Sequence, residues 1–334
     1  MNRDWTHPLA LGGIVLLALL AFASRAPRTV GAAELPTIEV GLPRGGVFGL
    51  GGAYIIDKGL DRKNGFVMKP RWAGVAQIER LVAIGALSVG LATAESAVRA
   101  NLKDIPLRLI QPYMTPHQHV LVRKGSPYKD IMDLKGKPLA LTREVTSLYN
   151  MFDFIMKKRG VDIEKEFQLK KLGAAGIRAV LEKGDVEGGI IWEAHVSKLL
   201  GTGKFRVLMA LRDELARLLN AKVKMMGWVG ATDSWVKQNP DLVAKLRAAW
   251  QDGIRGVQKD EAHFRKYAKK MFALEKPEVV ALGWKRTKTF LLPPDFRWPD
   301  KSNLEAEKRY LKGGIEVGMF PKEAAGVIDK MFVP

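Results

Sequence analysis

Cysteine is absent from the 334 residues of this chain. That excludes disulfides, thiol nucleophiles, thiolate-ligated metals and a lipid-modified cysteine near the amino terminus. Histidine is scarce, with five residues. His117 and His119 alternate on an extended segment, yet no third ligand stands at a spacing diagnostic of a metal site, and no metal or cofactor is expected. There is no "GxSxG" turn for a serine hydrolase, and no glycine-rich loop ends in the Lys-Ser/Thr pair of a phosphate loop. Low-complexity tracts and strong internal repeats are missing as well. A single long apolar run exists, from Leu9 to Ala23, and it falls short of the roughly 20 residues that span a bilayer comfortably.

That run is followed by Arg25, Pro27 and Arg28 and then by the small residues Gly31 and Ala33. The order fits a secretory signal over residues 1–33 with cleavage before Glu34. The rival reading is an uncleaved anchor, since arginines flank the run on its far side. Export predicts a periplasmic, soluble mature protein. The formal charge is +19, of which about +17 remains after residue 33. Lysine and arginine are spread along the whole chain, with neither a basic arm nor an aromatic-interleaved stripe, so the reading is a solvated basic surface and no nucleic-acid partner.

From Thr37 short apolar strands alternate with amphipathic helices, the pattern of parallel sheets with helices on their faces. Thr37–Leu42 reads as a strand, and Gly45–Gly52 as a glycine-rich loop leading into a helix near Ala53–Leu60. A second series begins at His119–Arg123. Its clearest helix places Leu148, Met151, Phe152, Ile155 and Met156 on one face, with Thr146 or Ser147 as cap and Gly160 as stop. After an extended segment over 222–231 come long helical patterns from Asp233 to Phe272, broken at Asn239-Pro240, and a proline-containing, less regular tail.

Several segments then carry a resemblance. Asp133-Leu134-Lys135-Gly136-Lys137-Pro138-Leu139-Ala140-Leu141, Gly85-Ala86-Leu87-Ser88-Val89-Gly90, Val180–Glu187, Ile191-Trp192-Glu193-Ala194-His195 and Asn239-Pro240-Asp241-Leu242-Val243 occur in the order found in binding proteins for nitrate, sulfonate, taurine and related solutes. The chain resembles that family over Ile38 to Ala273, with departures at Ser88, Glu193, Ala194 and His195. The resemblance implies an α/β, type II periplasmic-binding-protein-like fold: two βα lobes joined by two crossovers, and a helical C-terminal part. Lobe one takes residues 34–116, lobe two 117–221, and 222–334 returns to lobe one with the C-terminal helices; the crossovers fall near Thr115–Val120 and 222–231. It also implies a monomeric, non-catalytic subunit of an ABC importer that holds a small anionic organic solute and delivers it to an inner-membrane permease. A ligand-binding sensor subunit is the alternative. An enzyme of the related thiamine-pyrimidine branch is a third reading, disfavoured because the cysteine-rich motif of that branch is missing.

In such folds ligands sit between lobes at the carboxyl ends of strands. Gly46 and Phe48 lie in the first loop, where glycine exposes backbone N–H groups. Thr142, Arg143, Thr146 and Ser147 surround the start of the best helix, a natural seat for an anion. Trp192 and Glu193 end a buried strand, and relatives that bind taurine carry at the position of Glu193 an aspartate that faces the ligand amine. Thr93, Glu95 and Ser96 follow the strand Leu87–Ala92, and the aromatic residues Tyr113 and Trp228 complete the candidate ligand-binding set. Beside each stands a plain structural reading: a turn, a helix cap, a first-turn glutamate or a core aromatic.

Overall fold

The computed structural model describes residues 34–334 apart from 145, 222 and 223. The expected signal segment, and the first two residues of the expected second crossover, lie outside the described residues.

Among the described residues, ten strands form two sheets. The first contains β1 (Thr37–Pro43), β2 (Val67–Ala73), β3 (Val89–Ala92) and β4 (Leu107–Met114). The second contains β5 (Gln118–Arg123), β6 (Pro138–Leu141), β7 (Gln168–Lys171), β8 (Gly188–Trp192) and β9 (Phe205–Ala210). The tenth strand, β10 (Gly227–Thr232), returns to the first sheet. The orders are β2-β1-β3-β10-β4 and β7-β6-β8-β5-β9. In each, the first three strands run parallel, and the fourth is antiparallel to both of its neighbours. That fourth strand is in both cases the one that follows a crossing between sheets. The expected α/β architecture with two sheet-centred lobes and two crossings is what the chain adopts.

Parallel strands covered by helices on both faces are apolar along their length. β3 is buried throughout, and β1 alternates only at its start, with Thr37 and Glu39 outward and Ile38 and Val40 inward. The helix Ser147–Lys158 buries Leu148, Met151, Phe152, Ile155 and Met156, as its periodicity predicts, and Gly160 at φ 74° follows it. Pro240 opens the helix Pro240–Val257 directly after the helix Asp233–Gln238, which is the break expected there.

Three expectations are corrected. The glycine-rich segment is helical from Gly46, and its helix runs to Asp57. Glycine serves close packing here. A Cβ on Gly49 would sit 2.2 Å from the Pro43 carbonyl, and one on Gly51 would sit 2.1 Å from the Tyr113 hydroxyl. Gly46 itself, at φ 83°, occupies the left-handed region that glycine enters without strain. Second, a helix over Leu211–Leu219 follows β9, where the reading from sequence stops at the strand. Third, the tail contains two substantial helices, Pro277–Thr287 and Lys301–Glu316.

The last of these helices anchors the return of the chain to the first sheet. Lys224 and Glu307 are fully buried and paired at 2.9 Å. Glu307 also accepts from the Met225 backbone N–H at 2.6 Å, and the Lys224 ammonium lies 4.3 Å from the centre of the Tyr310 ring. The Tyr310 hydroxyl donates to Glu95 at 2.7 Å. Removing one member of a buried pair strands the other charge, at a cost of about 3–5 kcal/mol. Lys224→Met should therefore lower the urea-unfolding free energy by an amount in that range. The double variant Lys224→Met/Glu307→Leu should be more stable than either single variant. Additive losses in the double would contradict the stranded-charge account.

Candidate functional site

Between the two sheets lies a cavity of about 250 Å³. Its walls come from the carboxyl ends of parallel strands, the edge where open α/β sheets present loops and helix starts. Pro43 ends β1, Met114 ends β4 and Trp192 ends β8, and all three line it. Gln118, the first residue of antiparallel β5, reaches the same edge.

Two helices begin on this wall. β1 leads through Arg44 and Gly45 into the helix Gly46–Asp57, and Gly45, Gly46, Val47 and Phe48 all line the cavity. No side chain caps this helix. β6 leads into Ser147–Lys158, and Thr142, Thr146, Ser147 and Leu148 line the cavity from the other side. Thr146 is the cap: its hydroxyl accepts from the Tyr149 N–H at 3.3 Å and is 2.6 Å from the Thr142 hydroxyl. The first N–H groups of a helix have no intrahelical acceptor, and the helix dipole places partial positive charge there. Each helix has 12 residues, long enough for that end effect to develop. Among the described residues, no lysine or arginine lines the cavity. Helix starts and hydroxyls face it, and Glu79, His117 and Gln118 are its other polar side chains.

Six of the residues singled out from sequence meet here: Gly46, Phe48, Thr142, Thr146, Ser147 and Trp192. Phe48 is the most deeply set, its ring 4.4 Å from that of Trp250 and edge-on to Tyr113. The other seven have different work. Thr93 and Ser96 form a reciprocal capping box for the helix Ala94–Asn101, with Ser96 N–H donating to the Thr93 hydroxyl at 3.1 Å and Thr93 N–H to the Ser96 hydroxyl at 2.9 Å. Glu95 is buried and takes the Tyr310 hydrogen bond. Tyr113 is sealed beneath the glycine-bearing helix, where burial pushes its hydroxyl pKa far above the ordinary value. Arg143 is exposed and is not part of the wall. Trp228 is fully buried, edge-on to Trp298 at 4.9 Å.

Glu193 has internal partners. Its carboxylate is buried and fully engaged: Arg286 donates to Oε1, while the Ser197 N–H and hydroxyl donate to Oε2 at 3.1 and 2.6 Å. A buried carboxylate whose charge is already met by a guanidinium, with two further donors on its other oxygen, is engaged within the protein. It ties β8 and the helix after it to the helix Pro277–Thr287.

Sequence reasoning missed Glu79, His117, Gln118 and the apolar residues Val75, Ala76 and Leu91, which also line the wall. A local signal for Val75, Ala76 and Glu79 existed. Val75 is 48% exposed at the start of the helix Val75–Ala83, one turn before Ile78 on the same side. Val75, Ala76 and Glu79 make a stripe one turn long beside the buried face.

The sequence profile of the family described as "NMT1/THI5 like" matches residues 67–262, more than half of the chain. A protein of Escherichia coli (strain K12) named as an aliphatic sulfonates-binding protein is 29% identical over 99 residues, covering 30% of this chain and 30% of that protein. The match thus spans under a third of that relative's length. Among solved structures, the periplasmic aliphatic sulphonate binding protein SsuA from Escherichia coli superposes with TM-score 0.70 at 18% identity, over 89% of this chain and 92% of that one. The alkanesulfonate-binding protein SsuA from Xanthomonas axonopodis pv. citri, bound to MOPS, gives 0.70 at 17% identity, over 90% and 99%. The periplasmic nitrate-binding protein NrtA from Synechocystis PCC 6803 gives 0.68 at 14%, over 90% and 86%. At these identities the structural likeness carries the fold.

The crossing that carries Gln118 also holds two buried histidines whose rings face Phe290. Burial, then the neighbouring His195, lowers His117 to about 4; burial, then Arg286, lowers His119 to about 3. Both are neutral at pH 7. Unfolded histidine takes up its proton near 6.5, so this neutrality contributes stability above that pH, and the contribution is lost as pH falls toward the folded values. His117→Gln removes one such group. Between pH 7 and pH 5 the wild type should lose about 1–2 kcal/mol more unfolding free energy than His117→Gln. Equal losses in urea titrations would contradict the assignment.

Proposed function

The chain belongs to the NMT1/THI5-like family, and from that premise we propose that it is the extracytoplasmic solute-binding subunit of an ABC importer. It holds a small organic solute with an anionic end in the cavity between its sheets and hands it, unchanged, to a membrane permease. Residues 34–116 and 222–334 act as one lobe and 117–221 as the other, with closure absorbed at the two crossings. The apolar run Leu9–Ala23 supports export across the cytoplasmic membrane.

The observation that carries this reading is the pair of helix starts, Gly46–Phe48 and Thr146–Leu148, on opposite walls of one cavity. Backbone N–H groups cannot lose a proton and need no counterion. They hold a sulfonate or carboxylate by several charge-assisted hydrogen bonds, each worth about 1.5–3 kcal/mol. Apolar residues such as Val75, Leu91 and Trp192 then surround the body of the solute. The relatives named for sulfonate and nitrate fit an anionic end. Because one helix belongs to each lobe, a ligand that engages both favours the closed form by its differential contacts.

A backbone donor can be removed at Ser147 without breaking its helix. Proline is well tolerated at the first helical position, and Thr146, at φ −90° and ψ 148°, already has the extended conformation a residue before proline needs. Ser147→Pro deletes one N–H and one hydroxyl from the wall. Calorimetry with organic sulfonates and carboxylates should show at least about tenfold weaker binding, the loss of one charged hydrogen bond, with the unfolding midpoint unchanged. Undiminished affinity in a folded variant would sink the anion-binding role of this helix.

A further inference from the structure

The helix Val75–Ala83 packs Ile78 and Val82 into the core and brings Glu79 to the cavity wall. Among the described residues Glu79 is the one carboxyl on that wall, and no hydrogen bond or ion pair joins it to another described residue. Gln118 also lines this cavity and is 4% exposed. Its Nε2 donates to the Met226 sulfur at 2.9 Å, which leaves Oε1 buried without a partner. The cavity therefore has donors at its two helix starts and unfilled acceptors at Glu79 and Gln118. A buried acceptor with no donor is costly, so Gln118 Oε1 calls for a donor from the ligand, and half-buried Glu79 adds a negative charge to the same wall.

We propose that the ligand is zwitterionic: opposite its anionic end it carries an amine or another N–H-bearing cation that pairs with Glu79 and donates to Gln118 Oε1. This rests on the reading that the cavity between the sheets holds the solute. The role that the sequence suggests for Glu193, facing a ligand amine, falls to Glu79, because Arg286 already occupies Glu193. Burial, then the charge of Glu95, raises the Glu79 carboxyl to about 7. Without a cation it is incompletely ionised near neutrality, and a ligand ammonium restores the charged form. The ligand class is amino-sulfonates and amino acids of similar length, or an amidine joined to an anionic group.

The test is calorimetry with matched pairs, taurine against ethanesulfonate and β-alanine against propionate, on wild type, Glu79→Gln and Glu79→Ala. In the wild type the amino member of a pair should bind at least about tenfold more tightly, as expected for a charge-assisted contact. In Glu79→Gln that ratio should collapse to about threefold or less, with the affinity for the des-amino member retained. Equal affinities in the wild type, or a preference that survives in a folded Glu79 variant, would overturn the proposal and leave the anion-binding reading standing. Binding of neither member of either pair would overturn both.

Discussion

The return of the chain to its first sheet is the constraint on which the remaining structure depends. β10 enters between β3 and β4 and runs antiparallel to both, so the chain must cross between sheets twice. β5, after the first crossing, takes the matching place in the second sheet, between β8 and β9. Each sheet thereby keeps three parallel strands whose carboxyl ends meet the cavity side. The buried Lys224–Glu307 pair, the Met225 N–H and the Tyr310–Glu95 contact fasten the second crossing to the helix Lys301–Glu316. With those connections fixed, the helices after β1 and β6 begin on opposite walls of one space, and the chemistry of that space follows.

Net charge and site chemistry separate in this protein. The chain carries +19, yet no lysine or arginine lines the cavity among the described residues. The cations lie elsewhere, some in surface ion pairs such as Lys266–Asp57 and Arg265–Glu261, which contribute little to stability. A basic surface raises the local concentration of anions and speeds encounter. Recognition of the anionic end falls to backbone dipoles and hydroxyls, whose positions are set by the sheets. Overall basicity is thus consistent with an anionic solute without identifying where it binds.

Much of the architecture was legible because it rests on local periodicity. The strand–helix alternation, the apolar face of Ser147–Lys158, its hydroxyl cap and the break at Asn239-Pro240 all express contacts within a few residues. What escaped depends on distant partners. Glu193 reads as a free carboxylate until Arg286, 93 residues later, is seen to hold it. Trp228 reads as a possible cleft wall until Trp298 and Phe332 enclose it. The helix Lys301–Glu316 was hidden by its own chemistry, since it buries Glu307, Gly313 and Gly314 beside Tyr310 and Leu311 and so lacks a clean apolar stripe. The glycine-rich segment misled in the opposite sense: residues that suggest a flexible loop instead let a helix approach Pro43 and Tyr113.

The central claim is that both helix starts grip the same anionic group. The backbone amides of Gly46, Val47, Ser147 and Leu148 report on it directly, because a hydrogen bond to a charged oxygen moves an amide proton resonance downfield and slows its exchange. Titration of isotope-labelled protein with an organic sulfonate, followed by amide-resolved NMR, should shift and protect the amides of both starts together, with one shared saturation curve. Saturable binding that perturbs one start alone, or moves residues of the separate surface pocket around Arg44, Trp72 and Lys270 while both starts stay silent, would contradict the account.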